Sequence, residues 1–163
     1  MSIARAALAV IFIGGLAACA PKFKTYTGPD VTQVQVYKAE RKMYLLHGDT
    51  VLKQYRVSLG QDPVGPKHFY GDMKTPEGQY TIDRRYPSKD FYLALGISYP
   101  NAEDVAYAKS QGKDPGGDIF IHGQEGWFTN RKDWTAGCIA LSDSAMRDVY
   151  AMVQKGTPIF IEP

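Results

Sequence analysis

Cysteine is almost absent from this chain: its 163 residues include two, Cys19 and Cys138. Two cysteines exclude a disulfide-stapled scaffold and a thiolate metal cluster. Histidine is nearly as scarce. His47, His68 and His122 are scattered without the spacing of metal ligands. Charge of neither sign dominates, with a formal net charge of +2 and no block of like residues, which excludes a basic field for nucleic acid. No second apolar run beyond the N-terminal one is long enough to cross a bilayer. Internal repeats and low-complexity tracts are absent too, so nothing divides the chain after its first thirty or so residues. What is present in quantity is aromatic: eleven tyrosines and seven phenylalanines suit a β-rich fold better than a helical bundle.

The N-terminus reads as an address. Arg5 supplies a positive start, and Ala6 to Ala18 form an apolar stretch too short for a stable spanning helix. The run ends in Leu16-Ala17-Ala18-Cys19, which resembles the lipobox of bacterial lipoproteins, in which the cysteine is acylated and becomes the mature N-terminus. The alternative is an ordinary secretory signal cleaved near Ala18 or Ala20. The lipobox reading makes residues 1–18 a signal peptide, 19–32 a lipid-anchored tether punctuated by Pro and Gly, and 33–163 one domain with a proper core. It also implies a membrane partner through Cys19 and a periplasm-facing position in the cell envelope. Ala20, rather than aspartate, after Cys19 favours the outer membrane by resemblance to Gram-negative sorting rules.

From Gln33 the pattern is one of short strands. Val34–Tyr37 alternates, and Met43–Leu46 and Val51–Val57 flank a hairpin signal at His47-Gly48-Asp49-Thr50. Gly78–Asp83, Phe91–Leu95, Asp118–Ile121 and Pro158–Glu162 are further strands. Two helices interrupt them. Asn101 to Gln111 has Asn101 as N-cap and Gly112 beyond its end. Ser142 to Lys155 is capped by Ser142, carries Ala145, Met146, Val149, Tyr150 and Val153 on one face, and stops at Gly156. The fold class is mainly β with small α content.

The most informative stretch runs from Ile119 to Leu141. His122 ends an apolar strand-like run, and Cys138 follows in a tight Gly-Cys turn. A thiol needs a base to become a nucleophile near neutral pH, and imidazole is the usual one. Acylation of Cys19 would leave Cys138 as an odd thiol in an oxidising compartment, a flag for reactivity, although a small buried core cysteine fits the residue alone equally well. Consecutive amides at Gly137 and Cys138 could stabilise an oxyanion, and the helix starting at Ser142 adds positive potential nearby.

His122-Gly123 followed by Thr135-x-Gly137-Cys138-Ile139-x-Leu141 resembles the signature of the L,D-transpeptidase catalytic domain, also called YkuD. Lys67, Gly71-Asp72, Thr75-Pro76-Glu77-Gly78 and Tyr80 match the upstream Lys…Gly-Asp…Thr-Pro-x-Gly-x-Tyr block. The likeness spans roughly Val34 to Ile161 and is greatest to the YafK-like branch, in which Arg131 to Cys138 also fits. It implies a YkuD-type β-sandwich of mixed sheets, with Cys138 as nucleophile, His122 as base and no metal or diffusible cofactor. Thr135, Gly137 and Gly123 would support the loop and the oxyanion region. The implied partners are peptidoglycan stem peptides, attacked at the amide after meso-diaminopimelate through a thioester, and an envelope lipoprotein. Arg131, Trp134, Lys67 and Tyr70 are candidate substrate-binding residues; Asp72 is expected to shape a turn, and Asn101 to Gly117 to lie over the groove. Two departures stand out: where cross-linking members often carry histidine before the Gly-Cys and arginine or asparagine after Cys-Ile, this chain has Ala136 and Ala140. The rival readings are transfer to an amine, hydrolysis by an amidase or peptidase of the same fold, and a silent peptidoglycan-binding module.

Overall fold

The computed structural model describes residues 21–124 and 132–163. Its elements in chain order are β1 (Gln33–Tyr37), β2 (Lys42–His47), β3 (Thr50–Arg56), β4 (Gly78–Pro87), β5 (Leu93–Ile97), α1 (Ala102–Ser110), β6 (Phe120–His122), β7 (Ile139–Ala140), α2 (Asp143–Met152) and β8 (Pro158–Glu162). The alternation of β1 buries Val34 and Val36 and leaves Gln33, Gln35 and Tyr37 outward. The β2–β3 hairpin turns on Gly48-Asp49, with Gly48 at φ 55°, a conformation that glycine adopts without strain.

All eight strands join one mixed sheet in the order β3-β2-β1-β8-β4-β5-β6-β7. β8 wedges between β1, to which it runs parallel, and β4, to which it is antiparallel. β4 serves both halves of the sheet, and its register shifts between Ile82 and Arg84 as it passes from β8 to β5. Chain just beyond β3 returns to the far edge, where isolated bridges pair Ser58 with Ala140 and Gly60 with Thr135. The sheet is therefore curled on itself, and the expected mixed sheets are one continuous layer. Leu93, Leu95, Ile97, Ile121 and Ile139 line its core face together with Met146, Val149 and Met152 of α2.

Asn101 caps α1 in a reciprocal box with Asp104, and Gly112 beyond its end has φ 66°. Ser142 caps α2 as expected, but α2 ends at Met152, not at Lys155. Val153 turns extended (φ −90°, ψ 125°) and is fully buried, so its place in the apolar pattern reflects the core and not a continuing helix. The stretch before β1 does not hang free. Lys24 pairs with Asp148 at 2.6 Å, Phe23 meets Tyr150 at 6.3 Å between ring centroids, and Tyr26 packs on the core. Among the described residues no helix is long and apolar enough to cross a membrane.

Candidate active site

β6 and β7 run parallel, pairing Ile121 with Ile139 and His122 with Ala140. Because side chains alternate, the two isoleucines enter the core while His122 and Ala140 share the opposite face. Cys138 lies one residue before β7, and the same alternation places it on that face. It sits beside Phe120, whose backbone N–H meets the sulfur. The two candidate catalytic side chains thus stand on neighbouring strands, offset by two residues.

His122 is buried, and its Nδ1 lies 2.6 Å from the Gly123 carbonyl oxygen. That carbonyl can only accept, so Nδ1 carries the proton and Nε2 is left as the basic nitrogen. Phe91 lies across the imidazole at 4.4 Å, and Trp134 meets it edge-on at 5.8 Å. Burial lowers the imidazole pKa below its ordinary value, only partly offset by the Gly123 carbonyl. Gly123 is closely enclosed. A Cβ there would come within 2.6 Å of Asp143 Oδ1 and 3.0 Å of the Phe91 carbonyl, so glycine permits a close approach.

Cys138 is partly exposed, and its thiol donates to the Asp118 carbonyl at 3.6 Å. Burial pushes the thiol up to about 11, with the Phe120 N–H and Lys67 pulling down and Asp118 pushing up. A raised thiol and a lowered imidazole both favour a neutral pair over an ion pair. Thiolate absorbance of the free protein should rise with a midpoint near pH 11, and the signal should vanish in Cys138→Ser. A midpoint below pH 8 would contradict this. Because the folded thiol keeps its proton above the ordinary 9.0, this group's contribution to stability falls as pH rises from 9.0 to about 11.

The loop is fixed from several sides. Thr135 is buried, donates through Oγ1 to the Cys138 carbonyl at 2.7 Å, and accepts the Gly137 N–H at 3.1 Å. Thr135 thus supports the loop, whereas the Gly137 amide is engaged and shapes the turn without offering a free oxyanion donor. Gly137 has φ 136°, and a Cβ would lie 2.6 Å from the Lys74 carbonyl. Asp133 receives the Arg41 guanidinium in a forked contact at 2.9–3.1 Å and the Leu59 N–H at 3.1 Å. Burial opposes its ionisation, but Arg41 and Leu59 together hold Asp133 below the usual carboxylate range.

A cavity of about 280 Å³ opens onto Cys138, lined by Lys67, Tyr70, Met73, Asp118 and Ala136 among others. Lys67 is 4% exposed and donates to Asp72 and to the Phe69 carbonyl, both at 2.8 Å. Tyr70, by contrast, is 81% exposed at the rim. Asp72 accepts from Lys67 and from the N–H groups of His68, Phe69 and Lys74, a turn-shaping role. Lys38 was not singled out by its sequence, yet its buried ammonium donates to Gly65 O, Thr75 O and Glu77 Oε1 at 2.7–2.9 Å and anchors the cavity-bearing loop. Its signal is register: Lys38 continues the alternation of Val34 and Val36. Trp134 supports His122 and is not among the residues lining the cavity. Gly117, Asp118 and Ile119, which follow α1, do line it. Arg131, Trp127 and Phe128 lie outside the described residues, as does Cys19. Among the described residues no cluster of three or more His, Cys, Asp or Glu side chains is placed to hold a metal ion.

Known proteins share this fold. The model of the YkuD family, the L,D-transpeptidase catalytic domain, matches residues 32–161. YafK of Escherichia coli (strain K12), assigned by name to the L,D-transpeptidases, is 29% identical over 136 residues, covering 80% of this chain and 50% of its own length. The crystal structure of the helical cell shape determining protein Pgp2 from Campylobacter jejuni superposes with a TM-score of 0.64 at 27% identity, covering 84% of this chain and 49% of that one. The L,D-transpeptidase from Mycobacterium smegmatis has the same fold, with a TM-score of 0.56 at 17% identity over 82% of this chain and 59% of its own. This chain spans about half the length of YafK and Pgp2. The chain belongs to the YkuD family of L,D-transpeptidase catalytic domains.

Proposed function

We propose that this protein is a cysteine-dependent peptidoglycan L,D-transpeptidase that works through a thioester. The observation that carries the reading is the pairing of Cys138 and His122 on one sheet face, with His122 Nδ1 tied to Gly123 so that Nε2 is free to take a proton. The thiol turns from the Asp118 carbonyl toward the imidazole and gives up its proton. The sulfur then attacks the amide carbonyl following meso-diaminopimelate in a stem peptide. The imidazolium returns that proton to the departing amine, leaving a thioester on Cys138, and a second amine or water takes the acyl group. A base with a lowered pKa and a thiol with a raised one suit proton transfer at the moment of attack, not a standing thiolate. The cell-shape role named for Pgp2 of Campylobacter jejuni agrees with a part in wall remodelling. With Cys19 lipidated, the domain would work at the outer membrane, facing the periplasm, on the wall or on a lipoprotein linked to it.

Ala136 on the cavity wall and Ala140 beside His122 offer no charge to select the acceptor. Incubating the protein with purified muropeptides and following products by mass spectrometry decides the matter. Cross-linked or exchanged products support transfer. Water-derived products alone replace it with the hydrolase, and no product together with no acylation of Cys138 by a carbapenem leaves a binding module.

A further inference from the structure

The face of the sheet that carries Cys138 and His122 continues across β5 to β4. Arg84 pairs with Gly96, and Gly96 with Phe120; Tyr86 pairs with Ala94, and Ala94 with His122. These rows lie opposite the core residues Leu93, Leu95 and Ile97, and the first row leads from Phe120 to Cys138. Its smallest member allows an unusual reach. A Cβ on Gly96 would come within 2.6 Å of Arg84 Nε, so the bare glycine lets the arginine side chain lie flat over β5. The guanidinium comes to rest 4.9 Å above the Phe120 ring, and Tyr86 braces that ring edge-on at 5.6 Å.

Although it is held by stacking and pairs loosely with two carboxylates, the guanidinium has hydrogen-bonding capacity left, and an incoming carboxylate would compete with Asp83 and Asp118 for it. Its two ionic neighbours are long, with Asp83 at 3.4 Å and Asp118 at 3.7 Å, and no hydrogen bond within the described residues uses its five donors. The side chain is 45% exposed and faces solvent. Arg84 starts three strands from Cys138, roughly 14 Å away, but its head stops over Phe120, one strand short of the sulfur. Burial pushes the Tyr86 phenol up, with Arg84 pulling it down and Asp118 and Cys138 adding to the rise, which sets these groups within electrostatic reach of one another. Arg84 is not among the residues lining the 280 Å³ cavity, whereas its ionic neighbour Asp118 is.

We propose that Arg84, laid across Gly96 onto Phe120, forms a carboxylate-binding subsite beside Cys138 that positions a carboxylate-bearing peptide for acyl transfer. The fork of a guanidinium matches a carboxylate bidentately, and stacking on Phe120 fixes it at low entropic cost. A carboxylate one or two residues from the reacting carbonyl lies roughly 4–7 Å from it along an extended chain, which is the reach this placement provides. The idea deepens the acyl-transfer reading and rests on it for the peptide, though not for the charge.

Two measurements on the protein test it. First, Cys138 is alkylated with iodoacetate and, separately, with iodoacetamide, and both rates are followed at the Cys138 peptide by mass spectrometry. Arg84→Gln should lower the iodoacetate rate about fivefold relative to iodoacetamide, as expected for losing one screened charge at this range, and Arg84→Lys should restore part of it. An unchanged ratio overturns the subsite. Second, stem peptides with free carboxylates are compared with their carboxamides. Arg84→Gln should raise KM at least tenfold for the free acid and leave the amide nearly unchanged; equal losses on both would mean that Arg84 only covers Gly96 and Phe120. A loss in single-turnover acylation assigns the carboxylate to the donor peptide, and a loss confined to transfer assigns it to the acceptor. If the unmodified protein turns over no stem peptide, the acyl-transfer reading fails, while the alkylation ratio still decides whether Arg84 recognises a carboxylate.

Discussion

Replacing His122 with glutamine is expected to slow acylation of Cys138 about a thousandfold, within the range for loss of a positioned general base. Cys138→Ala removes the acyl-enzyme altogether. Glutamine can still donate to the Gly123 carbonyl in place of Nδ1, so the fold should survive and the loss be one of proton transfer. With its pKa pushed up to about 11, the thiol needs a base to attack at neutral pH. The wild-type pH profile carries a second signature. Because burial lowers the His122 pKa from 6.5, the imidazole stays neutral below that pH, and the acid limb of kcat/KM should fall below pH 6.5. Below 6.5 the same shift costs stability: the unfolded imidazole binds a proton that the buried one resists. A profile whose acid limb lies above pH 7, or His122→Gln within tenfold of wild type, would exclude His122 as the base.

Gly137→Ala is expected to destabilise the protein by about 3 kcal/mol and to lower Tm by roughly 10 °C, readable by thermal denaturation. Two penalties coincide there. At φ 136° an L side chain is strained, and its Cβ would press on the Lys74 carbonyl at 2.6 Å, a backbone atom that cannot swing away. Relaxation would pull the turn off Thr135 Oγ1 and shift Cys138, so acylation should fall along with stability. Ala136→Gly, one residue earlier on the cavity wall, serves as the control and should change Tm little.

Much of this architecture is legible in the sequence because its signals are local. Alternation marks β1, the Gly48-Asp49 pair marks the hairpin, and Asn101 and Ser142 mark the helix starts. The family motif carries the likeness of Cys138 and His122 to a nucleophile and its base, and their common sheet face follows from the β6–β7 register. What escapes is non-local or too short to have a period. β7 is two residues long, and Val153 satisfies helical spacing while serving the core from an extended backbone. Arg41 and Asp133, 92 residues apart, carry no local mark of their partnership. Gly96 does carry one: a lone glycine inside an apolar strand signals that something crosses it, and here that is Arg84.

The position of β8 governs how such a chain can assemble. β8 sits between the first and the fourth strands, so neither half of the sheet closes until Pro158–Glu162 arrive. Contacts such as Val34 with Ile159 span nearly the whole domain, and loop closure over that distance makes folding slow. A chain emerging N-terminus first exposes the edges of β1 and β4 until Pro158–Glu162 fills the gap between them. Insertion of β8 is thus the one pairing event that covers both inner edges at once.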